Sequence, residues 1–386
     1  MFKRIVVTWD QLRIDDQRDM HIRLADSLFH LIKWPVYWGT GYKPKLIGDK
    51  EQPLFFAQAY KSGAKEILPK ERWLDIYNAE PDDALCDLIG ATFSDALVIG
   101  FELAPYYKKV FSKCGITYID LVIHPVRFFS DIFYGFSTNN PIVDKFLQKK
   151  SLPDRLFYHA AAVQQARYAP NIVSHPLPTE NILFVVGQTP QDKVLISPQR
   201  SFHSLLDFTE QVDALSREHE LTVFKPHPYG TDENIISYFA GKDDCIALPS
   251  PAFPDLNTYI YLSHPGITTF VGLNSSVLVE ARYFEKLAIN LLPYEFNFTH
   301  EQPGEQPTAW PIFRDCFTES FWYELVFQLT QLRHTLPPPM PVVPIPNLRL
   351  TLRGGGSFDD AASYTQCLKI GALENALVSL KEQVLF

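Results

Sequence analysis

Apolar and polar positions change period in blocks along the chain. Arg4–Asp10 is a short β-branched run and reads as a first strand. Residues 17–31 return apolar side chains every three or four positions, which predicts a helix. Asp95–Leu103 (DALVIGFEL) and Ile116–His124 (ITYIDLVIH) are continuous apolar runs between polar turns, the pattern of buried strands. A polar, proline-containing stretch, Pro170–Glu180 (PNIVSHPLPTE), breaks the alternation. A second series follows. Asn181–Gly187, Leu221–Lys225, Thr268–Leu273 and Leu287–Leu292 are its predicted strands. Between them the spacing predicts helices over 201–219, with Leu205, Phe208, Val212 and Leu215 on one face, and from Ser275. A helix over 318–332 closes the series.

Strands alternating with helices imply parallel sheets covered on both faces. Two such series imply an α/β protein of two Rossmann-like domains facing each other across a cleft. The expected units are 1–178, 179–336 and a C-terminal extension, 337–386. That extension begins with six prolines in PPPMPVVPIP, a stiff connector, and passes a flexible GGG at 354–356. Leu373, Leu377, Leu380 and Val384 then form a helical seam. The seam is expected either to pack back on the first domain or to lead into further modules of a longer chain.

Composition narrows the function classes. The 386 residues carry 35 Lys+Arg against 44 Asp+Glu, a net charge of −9. Residues 1–180 hold 22 basic and 21 acidic residues, leaving 13 and 23 in the remainder. All the acidic surplus therefore sits in the second half, and a nucleic-acid polymer is not the expected partner. Five scattered cysteines show no ligand-like spacing, so neither a zinc site nor a disulfide frame is expected. The first apolar run meets Asp10 too soon for a signal peptide, and no run approaches the ~18 apolar residues of a membrane span.

Candidate chemistry gathers after the second-series strands, where open α/β sheets bind their ligands. Phe224-Lys225-Pro226-His227-Pro228 follows the strand LTVFK. Lys225 and His227, stiffened by Pro228, can hydrogen-bond a phosphate or nucleotide. Asn274-Ser275-Ser276 opens a helix whose free N–H groups favour an anion. Capping explains one of the two serines but not both. Glu280, a turn further on, is read as a ribose ligand or as a solvated helix residue. Asp232 is read as a catalytic carboxylate or as the cap of the helix that follows it. In the first half, Asp10, Glu102 and His124 end strands and face any cleft. The lysine-rich stretches 106–113 and 145–150 read as solvated faces first and as an anionic-membrane contact second.

Together the FKPHP turn and the NSS helix start resemble the donor-binding half of bacterial glycosyltransferases that use CMP-activated sugars. The pattern is most similar to the retaining β-Kdo transferases of lipopolysaccharide O-antigen and capsule synthesis. That resemblance implies a GT-B-type fold, CMP-β-Kdo as donor, a glycan or lipid-linked glycan as acceptor, and no metal or cofactor. It also implies a cytoplasmic setting, with a peripheral contact at the inner membrane face. His227, Ser275 and Ser276 would hold the leaving CMP phosphate, with Lys225 and Asn274 beside them. Retention by double displacement needs a carboxylate nucleophile, here Asp232. The acceptor's proton would go to Glu102, Asp10 or His124. No acidic motif of the inverting sialyltransferase kind is evident in the first domain, which puts sialyl transfer in doubt. A nucleotide-sugar epimerase of the same architecture, a CMP-sialic-acid-type transferase and a non-catalytic glycan-binding module are the alternatives. A dehydrogenase is disfavoured, because no G-x-G-x-x-G follows the first strand.

Overall fold

A computed structural model describes residues 2–13, 15, 17–48, 69–78, 80–129, 131–174, 177, 179–227, 230–249, 257–293, 309–331 and 348. The proline-rich connector, the GGG, the 373–384 seam, Cys367 and Pro228 lie outside the described residues. The chain runs β1 (Arg4–Trp9), α1 (Arg18–Thr40), β2 (Lys45–Leu46), α2 (Pro69–Tyr77), α3 (Asp83–Phe93), β3 (Ala96–Phe101) and α4 (Pro105–Lys113). It continues through β4 (Tyr118–Ile123), β5 (Tyr134–Thr138), α5 (Pro141–Lys150), α6 (Asp154–Ser174), β6 (Ile182–Val186), α7 (Thr209–Ser216), β7 (Leu221–Lys225) and α8 (Glu233–Ala240). β8 (Cys245–Ala247), α9 (Thr258–Ser263), β9 (Ile267–Gly272), α10 (Ser276–Tyr283), β10 (Leu287–Asn290), β11 (Trp310–Ile312) and α11 (Glu319–Thr330) complete it.

The strands form two sheets, ordered β11-β5-β4-β3-β1-β2 and β10-β9-β6-β7-β8. The second is parallel throughout. The first is parallel from β2 to β4, but β5 and β11 join it antiparallel. Each sheet is apolar on both faces, as a parallel sheet needs. Ile5, Val7 and Trp9 face α1, α5 and α11, while Val6 and Val98 face the side of α3 and α4. In the second sheet Ile182 and Phe184 face α6, α9 and α10, and Leu183 and Val185 face α7 and α8. The α/β architecture read from the alternation, two largely parallel sheets each covered by helices on both faces, is the one found.

Several details differ from the sequence expectation. α1 runs nine residues past position 31, through Pro35, because Ile32 and Val36 continue its buried stripe beyond Leu28. Gly41, at φ 75°, ends it and donates its N–H to Tyr37 O, a left-handed stop that suits glycine. The 201–219 helix is a 3₁₀ turn, Leu205–Phe208, followed by α7. Ser204 and Asp207 form a capping box that starts the turn at position 204, as that motif does. α6 runs into the expected break as far as Ser174. Sheet membership crosses the expected division at 178/179 both ways. Phe157 and Ala161 of α6 pack into the second sheet's core. Conversely, β11 pairs with β5, and α11 packs Phe321, Trp322 and Leu325 against the first sheet. α11, which matches the helix over 318–332 expected to close the second series, thus completes the first, together with β11.

Candidate functional site

The carboxyl ends of β6, β7 and β9 lie side by side, since β6 sits between the other two. The residues that follow each strand meet there. Gly187 closes β6 and donates its N–H to Lys225 O at 2.8 Å. A Cβ on Gly187 would stand 2.8 Å from His227 N and 3.0 Å from Pro226 Cα, so only glycine admits this approach. Thr189 Oγ1 lies 3.1 Å from His227 Nδ1. Gln188 takes the other neighbour: its Nε2 donates to Asn274 Oδ1 at 2.8 Å, and Asn274 N donates to its Oε1 at 3.3 Å. One short loop therefore joins the His-Pro turn to the Asn-Ser-Ser helix start.

Each donor-side residue has a definite place. Lys225 ends β7, with its ammonium 6.0 Å from the Tyr261 ring centre. His227 is half-buried, and burial lowers its imidazole to a pKa of about 4. The ring is therefore neutral near pH 7. Asn274 is buried, and its Nδ2 donates to Val194 O at 2.8 Å. Its side chain fixes the loop and does not cap α10. Ser275 occupies the N-cap position but makes no capping bond. Neither serine hydroxyl has a hydrogen-bond partner among the described residues, and both are half-buried. That leaves two hydroxyls and a helix N-terminus facing the strand ends, a cradle for an anion.

Two readings need correction or division. Glu280 is neither solvated nor turned to a ligand pocket. It is 3% exposed, and its Oε1 accepts from Arg127 N at 2.5 Å and Tyr259 Oη at 2.8 Å. The carboxylate is a strut that ties the loop after β4 to α10. Its place in the helix repeat puts it on the same face as the buried Tyr283, three residues on. Asp232 divides its two oxygens. Oδ1 caps α8 by accepting from Asn234 N at 2.8 Å. Oδ2 has no partner among the described residues, and the side chain is exposed. The turn that carries Asp232 is anchored to the His-Pro turn, because His227 N donates to Thr231 Oγ1 at 2.8 Å.

The first sheet's carboxyl edge holds a buried ionic network. Asp10 accepts from Tyr106 Oη, from Trp73 Nε1 at 3.2 Å and from Leu12 N at 3.1 Å. Burial raises its pKa against those hydrogen bonds. Glu102 sits at φ 49° after β3 and receives Lys193 Nζ from the second sheet's side at 2.7 Å. Burial opposes its charge, but Lys193, His21 and Arg13 together hold its pKa near 2. Arg13 makes a buried 2.6 Å pair with Asp15. His124 stacks on Phe133 at 4.5 Å between ring centres, and burial, then Arg127, keeps it well below its usual range. Of the three acceptor-side base candidates, Asp10 accepts from three donors, Glu102 is paired with Lys193, and His124 is buried in the core.

Compared by sequence, the chain matches no family model and no curated protein. Among solved structures it is similar to Thermosulfurimonas dismutans KpsC, a beta Kdo 2,7 transferase. The match has 12% identity and a TM-score of 0.33, and it covers 73% of this chain and 77% of that one. At that level of likeness the function must be argued from this chain's own site.

Sequence reasoning missed Gly187, Gln188 and Thr189, which join the two donor-side motifs. Their signal was present: a glycine directly after a buried strand often marks a close approach of backbone. It also missed Arg13, His21 and Lys193. A polar loop after β1, the first turn of a helix and a loop after β6 carry no pattern that links them.

Proposed function

We propose that the protein is a glycosyltransferase that moves Kdo from CMP-β-Kdo to a glycan hydroxyl with net retention. The observation that carries this reading is the junction of His227 with Ser275 and Ser276 through the Gly187–Thr189 loop. It supplies neutral donors and a helix dipole for a phosphate in the half of the chain that is poorest in basic residues. A CMP phosphate leaving an anomeric carbon needs that kind of stabilisation. In the first displacement, Oδ2 of Asp232, which has no partner among the described residues, bonds to the anomeric carbon as the bond to the phosphate breaks. The electron pair stays on the departing phosphate oxygen of CMP, where the two hydroxyls, His227 and the N–H groups of α10 stabilise it by hydrogen bonds. In the second, the acceptor oxygen bonds to the anomeric carbon as the bond to Asp232 Oδ2 breaks, which restores the carboxylate, and the acceptor's proton passes to water. Two inversions give retention.

CMP-β-Kdo and candidate acceptor glycans, incubated with the full chain, test the proposal by CMP release and by the anomeric configuration of the product. Asp232→Asn is expected to abolish transfer while CMP binding stays near normal, because the capping atom has an isosteric replacement. Wild-type turnover in that variant removes Asp232 from the mechanism. Binding of UDP but not CMP favours an epimerase instead.

A further inference from the structure

The C-terminal half of α1 presents a surface that neither the donor motifs nor the ionic network uses. Trp34, Tyr37 and Trp38 share one helix face at i, i+3, i+4 spacing and are 49%, 37% and 54% exposed. The other described tryptophans, Trp9, Trp73, Trp310 and Trp322, are all buried. The Trp34 ring lies 5.5 Å from Trp38 and 6.2 Å from Tyr37, and Lys33 Nζ stands 5.7 Å from its centre. The opposite face of α1 is fixed. Gly39 lies so close to Glu319 O that a Cβ there would clash, so the aromatic face cannot turn inward.

Charge separates this surface from the rest of the molecule. From Ser27 to Gly48 there is no Asp or Glu, while Lys33, Lys43 and Lys45 are present. Lys43 and Lys45 are exposed just beyond the end of α1. None of the three is in an ion pair among the described residues. In the stretch 106–113 every lysine is paired, Lys108 with Asp120 and Lys109 and Lys113 with Glu80, whereas in 145–150 Lys150 alone is paired, with Glu324, among the described residues. A basic, acid-free stretch in a chain of net charge −9 is complementary to an anionic surface. The site end of α1 is marked by His21, 3.7 Å from Glu102. Trp38 lies about 25 Å further along the helix, at 1.5 Å per residue.

We propose that Trp34, Tyr37 and Trp38, with Lys33, Lys43 and Lys45, dock the protein on the headgroup layer of an anionic phospholipid membrane. Trp and Tyr favour that interface because one end of each ring is apolar and the other hydrogen-bonds. The lysines add attraction to anionic lipid. A glycan is the poorer occupant, because Trp34 and Trp38, tilted by 30°, cover faces that a sugar ring would need.

Co-sedimentation of the full chain with vesicles tests this, using phosphatidylcholine alone and phosphatidylcholine mixed with phosphatidylglycerol. The wild type is expected to bind the mixed vesicles, with a blue shift in tryptophan emission and with loss of binding at high salt. Trp34→Ala combined with Trp38→Ala is expected to lower the partition constant roughly tenfold. Lys43→Glu combined with Lys45→Glu is expected to lower it roughly fivefold or more for each lysine charge lost. All these positions are at the surface, so circular dichroism and melting should match the wild type. Failure of the wild type to bind the mixed vesicles overturns the proposal. So does unchanged binding by the double tryptophan variant. Oligosaccharide binding or self-association that the tryptophan variant alone abolishes, without vesicle binding, also overturns it.

Discussion

Ser275 and Ser276 begin α10 with hydroxyls that make no capping bond, which leaves both able to bind the proposed phosphate. Ser276→Ala is expected to weaken CMP binding by about 1–2 kcal/mol, the loss of a hydrogen bond to a charged group. Calorimetric titration measures it, and an unchanged affinity would give the serine no part in the site. His227 makes a second expectation. Burial lowers its pKa to about 4, from 6.5. As pH falls from 6.5 toward 4, the unfolded chain takes up this proton before the folded one does. Its contribution to stability is therefore complete above pH 6.5 and declines below it. An NMR titration of the ring should give a midpoint near 4, and a midpoint near 6.5 would contradict the burial. These two motifs were legible because residue type and strand-end position both pointed to chemistry. Glu280 was misread because its inward direction depends on what α10 packs against.

At the scale of elements, the site depends on how closely β6, β7 and β9 bring their ends together. Gly187 sets that closeness. Gly187→Ala places a Cβ 2.9 Å from Lys225 O as well as against His227 N, and neither backbone atom can swing away. The variant is expected to lose about 1–3 kcal/mol of stability, the usual range for overpacking, and to bind CMP more weakly as β7 shifts. Chemical denaturation and titration measure the two effects, and a fully stable, tightly binding variant would refute the close approach. Most central strands were legible, since their apolar runs are bounded by polar turns. β5 and β11 were not, because Tyr134–Thr138 and Trp310–Ile312 are short and gain their strand character only by pairing with each other and with β4. The length of α1 was hidden by Pro35, whose missing N–H is offset by packing on both sides of it.

At the scale of the molecule, Lys193 and Glu102 tie the second sheet's loop to the first sheet's edge. Glu102, with its pKa near 2, contributes fully above its ordinary value of 4.5, and the contribution is lost as pH falls toward 2. Lys193→Met takes the nearest cation from that mostly buried carboxylate and is expected to cost about 3–5 kcal/mol. Urea denaturation at pH 7 measures it, and a loss below about 1 kcal/mol would mean that the pair is only a surface contact. The sequence by itself determined the two α/β series, the central strands and the donor-side motifs, because hydrophobic period and turn chemistry are local properties. Tertiary structure alone decided that α6 serves the second sheet while β11 and α11 return to the first. It alone set Glu280 as a strut and drew Arg13, His21, Glu102 and Lys193 into one network. These outcomes rest on contacts between residues far apart in the chain, and the order of residues along the chain does not specify which of them meet.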